Sequence, residues 1–151
     1  MADIVHRIEV AAAPEAVHRL VSSGPGFQGW WAEDVVAKPD GTVELGFFDR
    51  ATVYRLRPAG AEPGRRAVWE VETGQEWKGT RIVFELVPQG ATTLLRFTHG
   101  GWQSASDFFL SCNTTWGELM NRLKAAAEGK SPGPLFKTGS HGVTSSDWLA
   151  K

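Results

Sequence analysis

Residues 104–129 (SASDFFLSCNTTWGELMNRLKAAAEG) carry Phe108, Phe109, Cys112, Trp116, Leu119, Met120 and Leu123 at steps of three and four. Such steps place all seven on one stripe of an α-helix. Ser104 reads as the N-cap, with Asp107 three residues on returning the hydrogen bond in a variant of the capping box. Gly129 reads as the stop just past the last turn. At 1.5 Å per residue the helix spans roughly 36 Å. A stripe of that length needs a large apolar partner. The strand-like segments that precede it point to a curved sheet.

The rest of the chain supplies that sheet. Residues 3–10 alternate, with Ile4, His6, Ile8 and Val10 on one face and Val5, Arg7 and Glu9 on the other, which predicts a first strand. Pro14 suits a first helical turn, and Ala16, Val17, Leu20 and Val21 mark a short helix. Phe27, Trp30 and Trp31 fall in a second short helix or turn. Strands are then predicted over 34–38, 42–48, 51–57, 67–73, 80–87 and 92–99. Pro39-Asp40-Gly41, Asp49-Arg50 and Pro88-Gln89-Gly90 separate them as turns, and residues 58–65 read as a loop. Gly100-Gly101 reverses the chain into the long helix. Hairpin-length links between successive strands imply an antiparallel meander. Gly24-Pro25-Gly26-Phe27-Gln28-Gly29 matches G-x-G-x-x-G literally, but a dinucleotide loop needs a strand before it and a βαβ unit around it. Here a helix precedes it.

Composition excludes several functions. The chain has 16 basic and 17 acidic residues in 151 and no basic block, so nothing marks nucleic acid or an anionic membrane as a partner. One cysteine allows no intrachain disulfide and no Cys-rich metal site. No apolar run is long enough to span a bilayer, and the first ten residues hold four titratable groups where a signal peptide would be apolar. A cytoplasmic protein without membrane insertion is expected.

At this point the ordered residues resemble a known family. Pro14-Glu15-Ala16-Val17 with Leu20, Trp30-Trp31, Val68-Trp69-Glu70 and Gly79-Thr80 come first. Thr92-Thr93-Leu94, Phe97-Thr98-His99, Trp116, Leu119, Leu123-Lys124 and Glu128-Gly129 follow. Together they resemble the START and Bet v 1-like (SRPBCC) superfamily, and within it the proteins like the activator of Hsp90 ATPase homologue, over about residues 3–129. The resemblance implies an α+β helix-grip fold. A seven-stranded antiparallel sheet would wrap the long C-terminal helix, with two short helices between the first and second strands. It also implies a cavity between sheet and helix for lipids, hormones or other apolar molecules, and no shared catalytic set. Two departures stand out. The Pro-Pro pair common after the fourth strand is replaced by the longer Pro58-Ala59-Gly60-Ala61-Glu62-Pro63, and the chain continues from residue 130 to 151. The expected division is therefore a helix-grip domain over 1–129 and an extension over 130–151.

Seven Trp and eight Phe against one Tyr are the compositional signal for function. Rings of that size either fill a core or line an apolar site. The candidate lining is Trp30, Trp31, Phe47, Trp69, Trp77, Phe84, Phe97, Phe108 and Trp116, and both readings stay open for each ring. Cys112 lies in the helix stripe, as a small hydrophobe or as a thiol. His99 ends the last strand on the face of Leu95 and Phe97. It either bonds the nearby backbone or serves a ligand as hydrogen-bond partner or acid–base. Arg55 is the one arginine whose strand parity allows an inward reach toward a ligand carboxylate; the other strand arginines read as a solvated face. Four scattered histidines do not make a metal site, and no cofactor is implied.

The leading expectation is binding of an apolar or aromatic small molecule. The first alternative is an interaction module, co-chaperone-like or a homodimer built with the extension. The second is a cyclase-, lyase- or hydrolase-type enzyme using His99. The extension is rich in Gly, Ser and Pro, yet Leu135, Phe136, Trp148 and Leu149 give it ends that can dock on its own domain or on a partner subunit.

Overall fold

The computed structural model of the chain describes residues 1–138. β1 (Ala2–Val10) leads into α1 (Pro14–Val21) and α2 (Gly24–Phe27). Six strands follow: β2 (Asp34–Ala37), β3 (Val43–Phe47), β4 (Thr52–Glu62), β5 (Arg66–Val71), β6 (Arg81–Gln89) and β7 (Thr92–Trp102). The last element is α3 (Asp107–Ala127). The strands form one sheet in the order β1-β7-β6-β5-β4-β3-β2, and every neighbouring pair is antiparallel. This is the helix-grip α+β architecture, with both short helices between the first two strands. No described helix is long and apolar enough to cross a membrane.

Alternation decides which side of the sheet meets α3. Leu45, Leu56, Trp69, Ile82, Phe84, Leu95 and Phe97 face inward and are buried. From α3 the stripe of Phe109, Cys112, Trp116, Leu119, Met120 and Leu123 meets them, each almost fully removed from water. At roughly 25 cal/mol per Å² of apolar area, this burial is what holds the helix in the sheet. The outer face is charged. Glu44 sits among Lys38, Arg50 and Arg55, and Glu70 bridges Arg57 and Arg81. Pairs this exposed add little stability but keep the face wet. At its C-terminal end α3 is tied to the start of the chain. Glu128 Oε2 accepts from Ala11 N–H and from Lys124 Nζ, and Lys124 Nζ also donates to the Glu9 carbonyl.

Three local expectations are corrected. The N-cap of α3 is Ser106, whose Oγ accepts from Phe109 N–H at 3.2 Å, because β7 runs on through Gly100-Gly101 to Trp102 before the chain turns. The chain therefore does not reverse at those glycines; Gly100 still pairs with Arg81 of β6. Most of the expected 58–65 loop is strand, with Pro58 opposite Trp69 and an irregularity absorbed between Pro58 and Gly60. Phe27 ends α2 and Trp30 and Trp31 follow it in a turn, as expected.

α1 and α2 meet at a backbone contact that only glycine permits. A Cβ on Gly26 would lie 2.4 Å from the Arg19 carbonyl oxygen and 2.9 Å from Leu20 Cα. Gly26→Ala should therefore force the two helices apart and destabilise the fold by about 1–3 kcal/mol, read as a lower urea midpoint with an unchanged slope. An unchanged midpoint would mean the turn moves freely.

The described part of the extension docks on its own domain. Phe136 N–H donates to the Trp31 carbonyl and Leu135 N–H to the Trp30 carbonyl, while Glu33 N–H donates to the Phe136 carbonyl. Arg122 donates from Nε to the Gly133 carbonyl and from Nη2 to the Pro132 carbonyl. Phe136 packs edge-on to Phe47 at 5.2 Å. Trp148 and Leu149, at the far end of the extension, lie outside the described residues.

Candidate functional site

The centre of the molecule is a cluster of rings. Trp116 lies 4.9 Å from Trp31, 4.4 Å from Phe97 and 6.1 Å from Trp77. Trp77 stacks on Tyr54 at 4.0 Å, with planes 12° apart. Trp69 packs on Phe27, and Phe84 on Trp30 and Phe97. Two indoles also satisfy the end of α1. Trp30 Nε1 donates to the Leu20 carbonyl and Trp69 Nε1 to the Val21 carbonyl, two acceptors that a helix C-terminus leaves open.

His99 is fully buried at the heart of this cluster. Trp116 Nε1 donates to its Nδ1 at 3.1 Å. An indole N–H can only donate, so Nδ1 accepts and the imidazole proton sits on Nε2. Nε2 then donates to Thr80 Oγ1 at 2.8 Å, and Thr80 Oγ1 donates to the Trp77 carbonyl. The partners of its ring are thus two side chains, neither the nearby backbone nor an open ligand site. Desolvation pushes the His99 pKa down to about 3, so the ring is neutral. With both nitrogens engaged, it offers neither a lone pair nor a proton to a ligand. Burial pushes the Cys112 thiol up to about 12, only partly opposed by a hydrogen bond with Trp77. A thiol held protonated in this way is not a nucleophile.

Arg55 does not reach inward. Tyr54 and Leu56 on either side of it take the buried face, so strand alternation turns Arg55 outward. Its Nε lies 3.4 Å from Glu44, and its side chain is 41% exposed.

An opening of about 560 Å³ lies beside this cluster, at one end of the gap between sheet and helix. Its walls are the chain entering β4 (residues 51–54), the turn at 74–76 and the first turns of α3, including Asp107, Phe108 and Ser111. Two unusual backbone features shape it. Phe48, Asp49 and Arg50 all adopt positive φ (54°, 53° and 68°) in the turn that feeds its β4 wall. Arg50 holds that turn by hydrogen bonds to Asp34 at 2.7 Å and Glu44 at 3.0 Å. At Gly74 (φ +108°) a Cβ would stand 2.6 Å from Tyr54 Cε1, so glycine alone lets the turn press on that ring.

Tyr54 is 4% exposed and lines the opening, and its hydroxyl makes no hydrogen bond among the described residues. Burial pushes its phenol far above the ordinary range, with Cys112 and Glu76 adding to the effect, so the group stays protonated. Glu76 Oε1 accepts from Ser106 Oγ at 2.6 Å, which fixes one carboxylate against the helix N-terminus. Asp107 follows as the first residue of α3.

Of the twelve residues singled out from the sequence, Phe108 lines this opening. Trp30, Trp31, Trp69, Trp77, Phe84, Phe97, His99, Cys112 and Trp116 gather in the buried cluster behind it; Phe47 touches Tyr54 at 5.7 Å, and Arg55 is outside. Sequence reasoning missed Tyr54, Gly74, Glu76, Asp107 and Ser111. The available signal was the single Tyr of a Trp-rich chain, on the inward parity of its strand.

The model of the family described as activator of Hsp90 ATPase homolog 1-like protein matches residues 11–128. None of the curated proteins compared with the chain matches it. Among solved structures, the Aha1 dimer of Colwellia psychrerythraea is 28% identical, with a TM-score of 0.75 over 86% of this chain and 98% of that one. Protein CV1439 of Chromobacterium violaceum is 19% identical, with a TM-score of 0.68 over 85% of this chain and 99% of that one. CalU16 of Micromonospora echinospora is 18% identical, with a TM-score of 0.67 over 88% and 69%. The last two bear on fold alone.

Proposed function

The chain belongs to the activator of Hsp90 ATPase homolog 1-like family, and on that premise we propose that it binds an apolar or aromatic small molecule in the opening between β4, the 74–76 turn and the start of α3. The observation that carries the reading is a buried Tyr54 whose unpaired hydroxyl borders about 560 Å³ of space. Ligand sites combine an apolar wall with a few polar groups that fix orientation, within volumes of roughly 300–1,000 Å³. Phe108 and the Tyr54 ring supply the wall, and the hydroxyl supplies orientation. The central rings support the site from behind; Trp77 stacks directly on Tyr54 and can report occupancy by its fluorescence. Neither His99 nor Cys112 favours the enzyme alternative.

The test is a thermal-shift and Trp-fluorescence screen with neutral aromatics, flavonoids and lipids. A ligand at 100 times its dissociation constant should add about 2.7 kcal/mol of stability. Ser111→Trp, which would fill the opening from α3, should weaken binding at least tenfold and leave the unliganded melting temperature within a degree or two. A hit indifferent to that substitution would put binding elsewhere, and a silent panel would count against the reading. A second reading, self-association, draws on the dimeric Colwellia structure. Light scattering would then give twice the chain mass of 16.5 kDa.

A further inference from the structure

We infer that this opening selects aromatic ligands bearing a protonated amine and rejects organic acids. The inference rests on the binding reading above and adds the charge of the ligand. Glu76 and Asp107 both border the opening, and among the described residues no Lys, Arg or His does. Arg50 and Arg55, which adjoin the lining residues Ala51 and Tyr54 along the chain, are held outside it by Asp34 and Glu44, and Lys78 borders a separate polar cleft that shares Glu76.

A helix N-terminus ordinarily favours anions, so α3 must be weighed against the carboxylates. Its open N–H groups are already engaged in part. Ser106 Oγ takes the Phe109 N–H. Asp107 sets a full negative charge at the same end, against roughly half a positive charge for the helix. Glu76, held to the Ser106 hydroxyl, adds a second. The balance at the mouth is negative.

Tyr54 is the independent observation. Its side chain is almost fully buried and lines the opening, and its protonated hydroxyl makes no hydrogen bond among the described residues, so a bound ligand can supply its partner. As an oxygen acceptor it suits an ammonium N–H. The faces of Tyr54 and Phe108 attract a cation and pack against a ligand ring. An organic acid would bring its charge beside two carboxylates in a partly desolvated space, with no cation to answer it.

Three probes that share one ring system separate charge from shape: 1-naphthylmethylamine, 1-naphthalenemethanol and 1-naphthoic acid. Each is titrated calorimetrically into the full chain at pH 7 and low salt. The expected order is amine, then alcohol, then acid, with the amine at least 30-fold tighter than the acid. Glu76→Gln and Asp107→Asn should each weaken the amine by about tenfold and leave the alcohol within twofold. An alcohol that binds as tightly as the amine, or an acid that binds equally well, would overturn the charge selection and leave the binding reading intact. If Ser111→Trp leaves amine binding unchanged, the site is wrong and the inference falls with it. If none of the three binds, the charge selection falls, and the binding reading fails with it only if the wider panel is silent too.

Discussion

Replacing Trp116 with Ala is expected to cost about 4 kcal/mol of stability, which is much of what a domain this size possesses. Trp116 is 1% exposed and touches Trp31, Trp77, Phe97 and His99. Its removal takes away the ring that links α3 to the inner face of the sheet. It also takes away the donor to His99 Nδ1. Trp116→Phe comes closer to isolating the second effect, because it keeps a six-membered ring while losing the N–H and the pyrrole part of the indole. A buried acceptor left without a donor costs roughly 1–3 kcal/mol. Moving the proton to Nδ1 would not rescue His99, because that proton would face the new phenyl edge. Urea unfolding of the three proteins at pH 7 should rank them wild type, Phe, Ala. An Ala variant within 1 kcal/mol of wild type would mean that the cluster repacks around the hole.

Much of the fold was legible because two periodicities dominate this chain. The three-and-four spacing from Phe109 to Leu123 could be nothing but a helix with one buried side. The alternation in residues 82–86 and 95–99 fixed which residues of β6 and β7 would meet it. Ends were less legible. Two serines precede α3, and Ser104 and Ser106 are both good caps. The choice depended on how far β7 continues past Gly101, which pairing with β1 and β6 decides. Pro58 reads as a strand breaker in isolation, but the irregularity beside it absorbs the missing N–H. The candidate site was least legible. A ring count cannot say whether rings surround a space or fill it. Tyr54, Gly74 and Glu76 lie in a strand and a turn that meet α3 only in three dimensions.

Stability is expected to fall below neutral pH through His99. The buried ring has a pKa of about 3 in the fold and the ordinary value of 6.5 when unfolded. Between those values the unfolded chain binds a proton that the folded chain refuses. The contribution is therefore fully present above pH 6.5 and is lost as pH falls toward 3, by about 1.4 kcal/mol per pH unit. Its cause is burial among uncharged contacts: Thr80, Trp77, Trp102 and Trp116 surround the ring, and none of them can share the charge of an imidazolium. The carboxylates with lowered pKa act in a different window. Glu128, held down to about 2 first by Lys124, loses its contribution only as pH drops below about 4.5. Urea unfolding at pH 7, 6 and 5 thus isolates the histidine window, with a loss of about 2 kcal/mol expected across it. His99→Gln can still accept from Trp116 and donate to Thr80, so it should fold. It should be less stable at pH 7 and lose about 2 kcal/mol less than wild type on going to pH 5. Parallel curves for the two proteins would show that the central histidine is protonated in the fold, and with it that the Trp116–His99–Thr80 chain is not closed as described.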